Sequence, residues 1–318
     1  MTEIKKANEL YFTFHNGNKV PALGLGTANH GDKIPQTKEA VKTAIRAGYR
    51  HIDTAWVYET EHIIGEALKE LFEDGEIKRE DLFITTKIGT PLAETPEISL
   101  NQSLKELGID YVDLLLQHWP TSRKPIWKVE GVEIDRKHNK ANNKNPVEYD
   151  FVKYYKAIED LYEKYPEKVK NIGVSNYSTE FLEKLLKEAK HKPVINQIEL
   201  HPNLSQRDLV KFNTDNGILV TAYSPLGSSG APNAKIPLVL ELAEKYKTSP
   251  NAILSSYHIN QGVIVIPKSV NEERIKQVTE LIPLTEEELE ALNKIGEENP
   301  QRFIAPEFGR KLGFKHWP

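Results

Sequence analysis

The chain has 318 residues, 39% of them apolar and 28% charged, a formal net charge of −4 from 42 basic and 46 acidic side chains, and no cysteine. Disulfides, thiolate nucleophiles and cysteine-ligated zinc are excluded at once, and the balanced charge offers no basic field to attract nucleic acid or anionic lipid. The N-terminal MTEIKKANEL lacks the apolar run of a signal peptide and no stretch approaches the roughly 20 apolar residues of a membrane span, so a cytoplasmic protein forming one domain over 1–318 is expected.

In chain order, eight short segments rich in aliphatic and β-branched residues recur: VPALGLG from Val20, YRHIDTA from Tyr49, DLFITTK from Asp81 and YVDLLLQH from Tyr111, then VKNIGVS from Val169, VINQIEL from Val194, ILVTAYS from Ile218 and VIVIPKS from Val263. Most are near-continuous apolar runs, the pattern of parallel strands buried on both faces. Helices lie between them. In TPEISLNQSLKELG, Thr95 is the expected N-cap, Pro96 the first helical residue and Gly108 the stop, with Leu100, Leu104 and Leu107 on one stripe. Ser178 is the expected cap of STEFLEKLLKEAK, and Thr285 with Glu288 forms a capping box on a helix beyond the eighth strand.

Eight strands alternating with helices fit an open doubly wound sheet or a closed barrel. The open sheet usually carries GxGxxG after its first strand, and GLGTAN puts Asn29 at the third glycine position. The expected fold is therefore α/β, a (β/α)8 TIM barrel with an N-terminal hairpin. Residues 121–149 form a long polar loop after strand four, open to two readings, a solvated insertion or a substrate lid. The tail after Gly296 carries Phe303, Phe308, Phe314 and Trp317 and is expected to fold back on the body.

In such barrels functional groups stand at the C-terminal ends of strands. Here those ends are polar: Asp53 with Tyr58 five residues on, Lys87, His118, then Ser175 and Asn176, while the sixth strand runs through Gln197. Singly, each has a dull explanation; Asp53 caps a helix, Lys87 reaches solvent, and His118 is a satisfied core histidine. Together, a buried lysine and a buried aspartate in an apolar strand layer are expensive unless paired. The set suits proton transfer to an oxygen that becomes an alkoxide. A tyrosine at its ordinary pKa of about 10 is a poor acid near neutrality, and a nearby ammonium is expected to lower it. No residue supplies hydride, so a cofactor must.

HIDTAWVYETE, FITTK, DLLLQHWP, IGVSN, NQIELHP, TAYSPLGS and IPKSVNEERI, in this order, resemble the aldo-keto reductases over nearly the whole chain. GLGTAN, KREDLFITTK, GAPNAKIPLV and NPQRFI are most similar to the yeast D-arabinose dehydrogenase branch, whose members also reduce vicinal dicarbonyls. The resemblance implies an NADP(H)-dependent oxidoreductase that reduces aldehydes or ketones, including dicarbonyls or keto lactones, and oxidises aldoses in reverse. Tyr58 would be its general acid, Lys87 and Asp53 the tuning pair, and His118 the group that orients the carbonyl. It further implies that Tyr223 stacks on the nicotinamide, that Ser175, Asn176 and Gln197 hold the carboxamide, and that Gly26 and Thr27 also touch the cofactor. Ser224, Pro225, Leu226 and Ser228 would line the pyrophosphate, with Lys268, Ser269, Val270 and Arg274 around the adenosine 2′-phosphate. Two cations and a hydroxyl at a helix start suit that dianion.

The departures concern the pocket. Ala28 stands where many relatives have an aromatic, and Ile88 and Gly89 where a bulky tryptophan pair is common, so a roomier pocket walled by Trp56 and Trp119 is expected. Gln277 and Val278 replace a frequent Glu and Asn, which puts one adenine contact in doubt. No metal site is proposed; His62 and Glu66 read as a surface pair. Two other readings share the scaffold, a cofactor-sensing binding subunit and a lyase using Lys87 as a Schiff base.

Overall fold

The structure, a computed structural model, describes residues 6–123 and 147–318. A hairpin of β1 (Tyr11–Thr13) and β2 (Lys19–Pro21) precedes the strands β3 (Leu25–Gly26), β4 (His51–Asp53), β5 (Phe83–Ile88) and β6 (Leu114–Gln117). A short antiparallel ribbon, β7 (Ser122–Arg123) with β8 (Val147–Glu148), follows, and then β9 (Ile172–Ser175), β10 (Ile195–Glu199), β11 (Leu219–Tyr223) and β12 (Ile264–Val265). The eight strands β3–β6 and β9–β12 form one parallel sheet in chain order. Its two edges meet: Leu23 bridges Val265 in parallel, Val265 N donates to Ala22 O at 2.9 Å, and Gly24 N and Gly26 N donate to Val265 O and Pro267 O at 2.9 and 3.0 Å. The expected (β/α)8 closure is thus made by backbone hydrogen bonds.

One strand boundary needs correction. VPALGLG is not a single strand; Pro21 has no N–H to continue a ladder, so Lys19–Pro21 belongs to the hairpin and only Leu25–Gly26 to the barrel. Gly24 lies between because the His51 ring occupies the space of its Cβ, 2.8 Å from Cγ and Nδ1. The hairpin closes the barrel floor, packing Phe14 and Val20 against Phe83, Leu114, Leu116, Ile195 and Ile264. A larger core fills the layer between strands and surrounding helices.

Helix ends follow local chemistry. Thr95 stands at the N-cap position of the helix Pro96–Leu107, but its side chain makes no cap bond; Pro96 starts the helix and Gly108, at φ 64°, ends it. Ser178 Oγ does accept from Phe181 N, and the Thr285–Glu288 box is complete in both directions.

The aromatic tail folds back as expected. Glu199, fully buried at the end of β10, accepts from Phe303 N at 2.7 Å and Ile304 N at 3.0 Å, with His201 Nε2 at 3.0 Å and the Arg302 guanidinium at 3.7 Å. Arg302 in turn lies over the rings of Phe314 and Trp317, and Phe308 packs edge-on to Trp119. Residues 124–146 lie outside the described residues, and with them the question of a lid; the ends of that loop are tied by the β7–β8 ribbon. No helix among the described residues is long and apolar enough to cross a membrane.

Candidate active site

The C-terminal ends of β4, β5 and β6 converge. Lys87 Nζ, fully buried, donates to Asp53 Oδ1 at 2.6 Å and to Thr54 O at 2.7 Å, and Gln197 Nε2 donates to Asp53 Oδ2 at 2.7 Å. The buried ion pair is thus joined by two further polar groups, Thr54 O on the ammonium and Gln197 Nε2 on the carboxylate. The Tyr58 ring lies 5.0 Å from Lys87 Nζ and meets the His118 ring edge-on, centroids 5.6 Å apart. Trp119 stacks beyond His118. Asn176, held in the left-handed region at φ 63°, donates to His118 O and Ser175 Oγ and accepts from the Tyr223 hydroxyl at 2.8 Å. Thr27 Oγ1 donates to Asp53 O.

These groups stand around a cleft of about 410 Å³, into which Tyr58, His118 and Trp119 face with Asn176, Gln197 and Tyr223 opposite. Lys87 lies beneath its surface, buried against Asp53, Thr54 and the Tyr58 ring. Gly26, Thr27, Ala28 and Ser175 complete the near rim, and Ser224, Pro225, Leu226 and Ser228 the far one. A second cavity of about 600 Å³ adjoins it, sharing Leu226, Ser228, Ser229 and Lys268, and ends among Ser269, Val270 and Arg274. Val278 lines its end, whereas Gln277 turns its amide to Glu273.

The electrostatics correct one expectation. The Tyr58 hydroxyl is not pulled down by the ammonium: burial, and then the Asp53 charge, push its pKa well above the ordinary value. Lys87 already donates to Asp53 and Thr54 O, and burial lowers its own pKa against the pull of Asp53. His118 falls well below the usual histidine range, chiefly through burial and then through Lys87, which leaves a neutral imidazole at pH 7. The site at neutrality is a protonated phenol beside a neutral imidazole, over a neutralised ion pair.

Two residues expected on the pocket wall stand elsewhere. Trp56 is fully buried, its Nε1 donating to Gln102 Oε1 at 2.7 Å, and the indole lies against Gly89. Both sit behind the cleft, because the space left by the missing Gly89 side chain is filled from within. Ala28 and Trp119 do line it. Residues that sequence reasoning missed are Ile304, brought to the cleft by the Glu199 clamp, and Asn29 and Lys33, brought to the second cavity by the loop after β3. That loop's place at the barrel mouth was the available signal for Lys33; nothing local marks Ile304.

The chain is similar to known proteins over nearly its whole length. The model described as "Aldo/keto reductase family" matches residues 22–297. D-galacturonate reductase of Hypocrea jecorina is 41% identical over 310 residues, 95% of this chain and 97% of that protein. Glycerol 2-dehydrogenase (NADP(+)) of Saccharomyces cerevisiae is 39% identical over 298 residues, covering 92% of each. Among solved structures, a Bombyx mori aldo-keto reductase in complex with NADP superposes with a TM-score of 0.82 at 34% identity, over 97% of this chain and 98% of that one.

Proposed function

The chain belongs to the aldo/keto reductase family and is an NADP(H)-dependent oxidoreductase; on that premise we propose that it reduces an aldehyde or ketone to an alcohol, with Tyr58 delivering the proton. The observation that carries the reading is the convergence of Tyr58 and His118 on one cleft, ring centroids 5.6 Å apart, above a buried Lys87–Asp53 pair. When bound, the nicotinamide supplies the hydride. Tyr58 then gives its proton to the carbonyl oxygen as the carbon accepts hydride, and His118, neutral, donates one hydrogen bond that orients that oxygen. Lys87 lies 5.0 Å from the Tyr58 ring centroid, and its charge favours the tyrosinate left behind.

The two joined cavities suit the cofactor in shape and charge. Tyr223 offers a ring face, and Ser175, Asn176 and Gln197 offer polar groups to a carboxamide; Gln197 spends its Nε2 on Asp53, which leaves Oε1 to accept. Ser224, Pro225, Leu226 and Ser228 would border the pyrophosphate, and Gly26 and Thr27 the ring's near edge. At the far end Lys268, whose pKa burial and Lys33 both lower, is an ammonium in want of an anion. With Arg274, Lys33 and Ser269 it would hold the 2′-phosphate. Substrates of the aldose, keto-lactone or vicinal-dicarbonyl class, D-arabinose in reverse among them, would enter between Ala28, Trp119 and Ile304.

Because Tyr58 holds its proton throughout the neutral range, reduction is favoured near pH 7, and oxidation of an alcohol, which needs the tyrosinate, should rise toward alkaline pH. Tyr58→Phe is expected to lower kcat by about 10²- to 10⁴-fold, the usual worth of a general acid, while NADPH fluorescence titration gives an unchanged Kd. Retention of turnover would remove Tyr58 from the role. A panel of diketones, keto lactones, aldehydes and aldoses followed by NADPH absorbance tests the substrate class.

A further inference from the structure

Tyr58 sits on a single turn, Trp56–Tyr58, whose backbone is fixed by Tyr58 N donating to Ala55 O at 3.0 Å and by a left-handed Glu59 at φ 58°. Of the three side chains on that turn only the indole of Trp56 is completely buried. Two contacts with described residues bear on the turn. Its Nε1 donates to Gln102 Oε1 on the Pro96–Leu107 helix, and its six-membered ring fills the place where a Cβ on Gly89 would stand, so that such a Cβ would overlap Cε3 and Cζ3.

Gly89 has φ −62° and ψ 135°, a conformation open to any residue, so backbone geometry does not call for glycine there. The indole does. The backbone at Gly89 cannot easily retreat, because its N–H donates to Ser99 Oγ and its carbonyl accepts from Leu92 N at 2.8 Å. Gly89 follows Lys87 by two residues and Trp56 precedes Tyr58 by two, so this contact joins the turn that carries the phenol to the strand that carries the ammonium.

We infer that Trp56, seated on Gly89, is a positioning residue that sets the distance and angle of Tyr58 relative to Lys87 and His118. The inference rests on the reading of Tyr58 as the proton donor and adds to it the part of the fold that aims the donor. Neither residue touches the cleft. Their effect on turnover passes through the turn, and a displacement of about 1 Å at the reacting groups is enough to cost ~10²-fold in rate.

The test is a double-mutant cycle. Gly89→Ala pushes a methyl into the indole and should lower kcat by about 10- to 100-fold and shift the pH profile of kcat, with NADPH Kd and cooperative melting retained. Trp56→Phe, which withdraws the distal ring, should lower kcat less. The pair Gly89→Ala/Trp56→Phe should turn over faster than Gly89→Ala alone, because the new methyl then has room. Additive effects in the cycle, or full kcat in Gly89→Ala, overturn the inference. If Gly89→Ala does not fold, Trp56→Phe decides: an unshifted pH profile and unchanged kcat overturn it. Tyr58→Phe run alongside separates the two claims. Turnover kept by Tyr58→Phe overturns both, whereas turnover lost by Tyr58→Phe and kept by Gly89→Ala overturns the positioning role alone.

Discussion

The two ends of the long cleft treat charge in opposite ways. At the barrel mouth Lys87 and Asp53 are both buried and bound to each other, with Thr54 O and Gln197 meeting their remaining needs. At the outer end Lys33, Lys268 and Arg274 share one cavity, and among the described residues none of the three forms an ion pair with a carboxylate; Lys268 has only Ala28 O at 3.1 Å. A charge already neutralised by the fold can tune a neighbouring proton but cannot attract a ligand. A charge left without a counterion is a standing request for one. Preorganisation belongs to the first region and recruitment to the second.

The comparison breaks most severely at Asp53. Asp53→Asn keeps the shape but strands Lys87 as a buried ammonium, and breaking a buried pair costs about 3–5 kcal/mol. Thermal unfolding should show that loss near pH 7, together with loss of turnover. Burial holds the folded pKa of Lys87 below its unfolded value, so the variant should regain stability as pH rises toward 10 and the lysine sheds its proton. Lys87→Met in the same chain should restore stability without restoring activity.

A smaller change marks the outer end. Arg274→Ala should weaken NADPH by roughly 10-fold or more, as loss of a charge-assisted hydrogen bond does, and leave NADH nearly untouched. Lys33→Ala should do the same by only ~2- to 5-fold, because an exposed ammonium is a point charge without the bidentate hydrogen bonds of a guanidinium. Both effects should shrink in high salt, and that of Asp53→Asn should not; titrations at two ionic strengths check this. The smallest effect isolates burial itself. His258, held at about 3 with neither ring nitrogen bonded, and His51, at about 4, have folded pKa values depressed by burial. Their stabilisation is complete above pH 6.5 and is lost as pH falls toward 4. His258→Leu should make the acid limb of a Tm-against-pH curve shallower.

What could be read from sequence was what strands impose. A residue on or just past a strand in a parallel barrel has its position set by the fold, so Asp53, Lys87, His118 and Ser175 near strand ends, and Gln197 within β10, were legible from the motifs that hold them. Side chains on turns and tails were not. Trp56 pointed to the wall only if Gly89 was an emptied space rather than a seat, and Ile304 reached the cleft through Glu199, 105 residues earlier in the chain. The fall expected for Tyr58 failed for a related reason: the sequence contains the ammonium but not the depth of burial that outweighs it.

The Glu199 clamp divides the tail into two parts with different freedom. Phe303 and Ile304 lend the carboxylate their backbone N–H groups, which any residue but proline can provide, so the clamp itself constrains where the chain runs, while the Phe303 ring packs on His201 and Ile304 faces the cleft. Beyond Ala305 the chain is free of that carboxylate altogether. Exchanging the chain past Ala305 would therefore keep both donors to Glu199, whereas a cut ahead of Phe303 would leave a buried carboxylate without its backbone donors.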